Sequence, residues 1–195
     1  AQLSRGLGDV YKRQSYDYGN VQADGHFVDS GLTYSGNTTS TVSGLFHLEG
    51  EKIDATTDGS AHPQVTVTNG KVTLQNAAQK IKLGFNYESV LQTMRVELQA
   101  EDGTAQGKIK RIHDVTVRLF ESLGVEIGGS LDNMERIPFR DSSMPMTQSV
   151  KLFTGDKDAE FRGDYDKEGY VYVRQNLPLP LTVLAIYPRL NIFDG

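Results

Sequence analysis

From Phe27 onward the chain alternates apolar and polar residues in short runs broken by Gly, Pro, Asn and Asp. Nowhere do apolar positions recur at helical spacing over a dozen residues. The pattern predicts an all-β chain. Its sharpest signal is VTVTNGKVTL, Val65 to Leu74, where Asn69-Gly70 supplies the two positive-φ residues of a type I′ hairpin turn. That turn predicts Val67 opposite Val72 and Val65 opposite Leu74 on one face, with Thr66 opposite Thr73 on the other. Asp58-Gly59 predicts a second turn after a strand over Glu51 to Thr57. Pro63 has no N–H to donate, which makes the returning strand short or places it at an edge. Together these pieces predict a small β-barrel-like unit over residues 44–87, preceded by extended lead-in strands over 15–43.

A β-rich C-terminal domain, an antiparallel sandwich or sheet, is expected over 88–195. Within it His113 to Phe120 alternates, with Val115, Val117 and Leu119 facing inward and Asp114, Thr116 and Arg118 facing water. Tyr170 to Arg174 reads as a strand. Leu181 to Tyr187 is a nearly continuous apolar run behind LPLP, which predicts a strand buried on both faces. Gly128 to Thr147 has no period and reads as a long connection.

Composition narrows the chemistry. The 195 residues include no Cys, which excludes disulfides, Cys-ligated metal centres and thiol catalysis. There is no apolar run of about 20 residues and no secretory pattern. GDVYKRQ, Gly8 to Gln14, resembles the in-frame translation of a transposase end sequence used to fragment DNA, which implies that residues 1–14 are a sequencing scar and that the gene continues upstream. Arg5, Lys12 and Arg13 against Asp9 give that stretch +2, so of the net −5 the remainder carries −7. An acidic body repels phosphates, which disfavours DNA binding through a basic patch.

Five patterns are candidate sites. GTAQGKI, Gly103 to Ile109, is one residue short of a P-loop and has Ile109 where a Mg²⁺-coordinating hydroxyl belongs, so a Gly-containing connection is expected. FVDSG, Phe27 to Gly31, matches the sequence around an aspartic-protease aspartate. A second Asp29 from another copy would then be required, and a local turn is the plainer reading. Asp164, Asp166, Glu168 and Gly169 fall at positions 1, 3, 5 and 6 of a calcium loop. Position 12, however, is Gln175, and YVYVR reads as a strand, so a solvated turn is expected. His47, Glu49 and His62 offer a sparse metal set, with polar surface or cap roles as the default. Tyr170, Tyr172 and Tyr187 suggest an aromatic platform, against the commoner role of covering a half-buried sheet.

GLFHLEGEKI (Gly44 to Ile53), VTNGKVTL and IKLGFNY (Ile81 to Tyr87) resemble the tail nozzle, or tail tubular, proteins of short-tailed bacteriophages and prophages. The likeness extends through FVDSGLTYSG, TAQGKIKRI, LFTGD and LPLPLTVLAIYP. Residues 44–87 also resemble the small β-barrel insert, the first catalytic cysteine half-domain, of ubiquitin-activating enzymes, from which a Cys-free chain inherits nothing catalytic. The nozzle resemblance implies a non-enzymatic C-terminal fragment of a virion subunit. Its implied partners are copies of itself in a ring, commonly hexameric, the tail adaptor and portal-side proteins, and DNA that passes without specific binding. It implies assembly in the bacterial host cytoplasm and a place in the virion. It carries over no catalytic, cofactor or metal residue. Two other readings stay open: a carbohydrate-binding β-module of a larger receptor-binding or hydrolytic protein, and an aspartic-protease-like enzyme using Asp29.

Overall fold

The computed structural model describes residues 22–97, 99–100, 103–144 and 149–193. The scar expected over 1–14 and the first part of the lead-in lie outside the described residues. Those described form a nearly all-β molecule with no α-helix. The first sheet contains β1 (Asp29–Ser43), β2 (Lys52–Thr57), β3 (Ser60–Thr66) and β4 (Lys71–Phe85), in the order β1-β4-β2-β3 and antiparallel throughout. Its inner face buries Val42, Leu45, Ile53, Val67, Val72, Ile81 and Leu83 almost completely. Each such aliphatic side chain contributes about 1.5–3 kcal/mol on leaving water.

Both predicted turns form. Asn69 and Gly70 have φ of 55° and 64°, and Asp58 and Gly59 have 48° and 84°, the left-handed pairs that type I′ turns require. Pro63 indeed sits on an edge strand, β3. The register expected beyond Asn69-Gly70 is corrected. Thr68 bridges Lys71, but the ladder stops there. Val65 pairs with Ile53 rather than Leu74, the Val67 N–H donates to the Glu51 carbonyl, and β4 begins against Val42 and Ser43 of β1. An isolated two-stranded ribbon buries too little to be stable, so each strand takes a separate partner and both valines enter one core. Since β4 also lies beside β2 in its second half, the sheet must curl back on itself. The buried His62 spans the gap left by the divergence: its Nδ1 donates to the Pro63 carbonyl at 2.7 Å, and its Nε2 accepts from the Gln75 N–H at 2.9 Å.

Residues 44–50 wrap the Asn69-Gly70 turn as a single 3₁₀ turn. Gly44 and Leu45 N–H groups both donate to the Gly70 carbonyl at 3.0 Å. Glu49 completes the wrap, accepting from Asn69 N–H at 2.7 Å and Gly70 N–H at 2.6 Å, one on each oxygen. Charge-assisted bonds of this kind to turn amides are strong for their exposure. Glu49→Ala is expected to cost about 1–2 kcal/mol, seen as a lower urea midpoint with unchanged slope. An unchanged midpoint would mean that the turn holds itself.

The second half is a sandwich. One sheet orders β10 (Asn133–Arg136), β9 (Val125–Ser130), β12 (Tyr172–Gln175) and β5 (Ser89–Gln92). The other orders β11 (Phe153–Glu160), β8 (Ile109–Ser122) and β13 (Val183–Phe193). Val115, Val117 and Leu119 face inward as predicted, meeting Val125, Ile127, Val171 and Val173 of the opposing sheet. Two expectations are corrected. The stretch 128–147 is not simply a connection, because a turn at Leu131-Asp132 folds β10 back on β9. The Leu181–Tyr187 run is not buried on both faces: β13 is an edge strand that alternates half-buried and exposed positions, and Leu184 is 58% exposed. An apolar run has no phase of its own, so it cannot distinguish a central strand from an edge.

The two halves meet through the segment before β1. The Gln22 amide bonds the carbonyls of Gly59 and Val150, and Asn86 Nδ2 bonds the Asn176 carbonyl. His26 lies in the same junction, with its Nδ1 3.0 Å from Thr56 Oγ1.

Candidate functional site

The sites weighed from sequence are mostly engaged in holding the fold. Asp29 opens β1 at an exposed position, with its backbone paired to Phe85. In Gly103–Ile109, Gly103 and Thr104 form β7, which pairs with β6 (Gln99–Ala100), and Gly107 turns at φ 83°. The Thr104 hydroxyl and Ala105 N–H both donate to Glu97, so the donors of this loop hold the chain's own carboxylate. Above all the Thr104 hydrogen bond holds that carboxyl below its ordinary range.

The calcium-like row does not assemble into a ligand set. Glu168 turns to Arg95 at 2.6 Å. Asp166 accepts from the Gly169 N–H at 3.3 Å and exchanges both backbone bonds with Lys110. Gln175, at the twelfth position, is buried and fully committed. Its amide nitrogen donates to the carbonyls of Leu123 and Leu179, and its oxygen accepts from the Leu177 N–H, which ties the β8–β9 turn to the LPLP segment. His47 bonds the Ser30 carbonyl, Glu49 caps its turn and His62 bridges strands, so these three do not converge. Among the described residues no group of three His, Asp or Glu is placed to hold a metal ion.

The tyrosines also separate. Tyr170 and Tyr172 meet edge-on at 6.4 Å, and the Tyr170 hydroxyl accepts from Arg95. Tyr187 lies on the other sheet, beneath the Arg118 guanidinium at 5.5 Å. They form no single platform.

Sequence reasoning missed two charged features. On the outer face of β9, Glu126 is nearly buried between Arg136 and Arg174, each at 2.8 Å, with Asn176 at 3.1 Å. Burial alone would raise its carboxyl, but hydrogen bonds and charge from the two arginines outweigh this and hold it below the usual range. The alternation of β9 gave no signal, because Val-Glu-Ile reads as an ordinary outward glutamate. The second feature is Lys110, buried at the far end of β8.

Exposed apolar side chains recur along β5 and β13, which end the two sandwich sheets among the described residues. Segment 135–139 runs beside β11, with Phe139 against Phe153 at 5.9 Å, so β10 lies over β11. β5 therefore lies over β13 on the opposite side, and Ser89 and Leu181 share a cavity there. These two strands and the chain beside β5 carry Tyr87, Val90, Leu91, Met94, Leu184, Tyr187 and Phe193, seven of the eleven exposed large apolar residues among those described. No helix among the described residues is long and apolar enough to cross a membrane.

Neither a scan against protein-family models nor a search of curated proteins returns a match for this chain.

Proposed function

We propose that this chain is a structural subunit of a short-tailed phage tail nozzle, acting in tail assembly and in the channel through which the genome leaves. The observation that carries the reading is the exposed apolar surface of β5 and β13. Among the described residues β5 and β13 end their sheets, and both expose large apolar side chains such as Val90, Leu91 and Leu184. Monomeric proteins blunt such edges, and a patch of this kind marks a contact with another chain. In a ring the neighbouring subunit covers it. The resemblance of GLFHLEGEKI, VTNGKVTL and IKLGFNY to nozzle proteins and the acidic body, which lets DNA pass without gripping it, support the same reading.

The test reads the uninterrupted gene in the source DNA and then images its product by negative-stain electron microscopy. Portal and adaptor genes alongside, with rings that Leu184→Lys dissolves into single subunits, are the expected result. A secretory signal or hydrolase domain in the open frame, or a product that stays monomeric, would overturn the assignment.

A further inference from the structure

Lys110 takes an inward-facing position two residues from Ile112, and it is only 1% exposed. Its backbone is stapled to Asp166 by bonds of 2.7 and 2.9 Å, which fixes the Gly163–Gly169 loop across that end of the sandwich. Its ammonium has three donors, yet the contact it makes within the loop is a long 3.4 Å bond to the Lys167 carbonyl. A buried ammonium is costly, and the nearby charge of Glu97 offsets part of that cost.

Beside Lys110 opens a cavity of about 340 Å³, within the range of small-molecule sites. Its wall balances charge: Lys110 and Arg162 stand against Asp164 and Asp166, with Ser130 and Asn133 between them. An anion there meets two carboxylates, and a cation meets an ammonium and a guanidinium. The wall also carries rings. Tyr165 is supported edge-on by Phe193 at 5.2 Å, and Tyr170 is held by the bond from Arg95 to its hydroxyl. Donors and acceptors of both signs, set beside aromatic faces, match a ligand whose hydroxyls both donate and accept and whose ring presents C–H groups.

We infer that this cavity binds a neutral saccharide unit, with Asp164 and Asp166 contacting its hydroxyls and Tyr165 and Tyr170 its ring face. The inference does not depend on the assembly reading.

The ¹⁵N-labelled full chain is titrated separately with glucose, galactose, mannose and N-acetylglucosamine at millimolar concentrations, and with calcium chloride and sodium phosphate. The readout is the amide shifts of Gly129, Gly163 and Gly169, which line the cavity. Saturable shifts with at least one sugar are expected. Asp164 is exposed, so Asp164→Ala should leave the melting midpoint unchanged while weakening that sugar by about tenfold, the scale of one good hydrogen bond. No response to any of the four sugars, a response to calcium or phosphate alone, or unaltered sugar binding by Asp164→Ala would overturn the inference.

Discussion

Replacing Glu126 with Ala is expected to lower the unfolding free energy by about 3 kcal/mol, the largest single loss foreseen for a polar residue here. The carboxylate is only 8% exposed and is shared by Arg136, Arg174 and Asn176. Its removal leaves the guanidinium of Arg174, itself 23% exposed, with only a 3.4 Å contact to Glu88 and a 3.5 Å contact to the Leu131 carbonyl. Urea denaturation measures the effect as a lower midpoint at constant slope. The contrast is Asp156→Ala. Asp156 forms a well-shaped two-bond pair with Arg118 at 2.7 and 2.8 Å, but both side chains are more than two-fifths exposed. Water competes for that pair, so its loss should change little. Equal effects at the two sites would show that burial is not what gives the Glu126 cluster its weight.

Acid should weaken the junction between the two halves through His26. Burial first, and the nearby charge of Lys82 second, push its imidazole down to about 4, with only a small opposing effect from the Pro178 carbonyl. The buried Nε2 has no hydrogen-bond partner. The folded protein therefore keeps His26 neutral in a pH range where the unfolded chain, titrating near 6.5, has already taken up a proton. Stability contributed by the neutral ring is complete above about pH 6.5 and is lost as the pH falls toward 4, by on the order of 3 kcal/mol. The depressed carboxyl of Glu126 acts in the same direction at lower pH, since its contribution is lost as it protonates. His26→Gln separates the two. Its stability should fall less steeply than that of the wild type between pH 7 and 4, and parallel curves would rule out His26 as the source.

The local grammar of the chain was legible because it rests on interactions between near neighbours. Asn69-Gly70 and Asp58-Gly59 make the turns their φ requirements dictate, and Val115, Val117 and Leu119 turn inward because side chains alternate along any strand. Misreadings arose where a second partner decides the outcome. Val65 has Leu74 at the right spacing, but Ile53 offers a wider sheet and a shared core. The Leu181–Tyr187 run is apolar throughout, yet only the position of β13 beyond β8 leaves Leu184 in water. Lys110 escaped notice because the pairing of β8 with β13 slips between Arg189 and Leu190, opposite Asp114 and Ile112. This shift puts Ile112 and Lys110 inward, out of phase with Val115, Val117 and Leu119.

The candidate sites divide in the same way. Spacing alone placed Asp164, Asp166 and Glu168 in a ligand-like row. Yet a carboxylate acts on whatever it reaches, and Arg95 lies 73 residues from Glu168 in sequence. Gln175 and Glu49 likewise gained their roles from carbonyls and amides that no local pattern announces. By itself the sequence determined the all-β class, the turns and the inward faces, because φ preferences and strand alternation act over a few residues. The tertiary structure alone decided which strands are edges and which charges are buried, because both depend on partners distant in the chain.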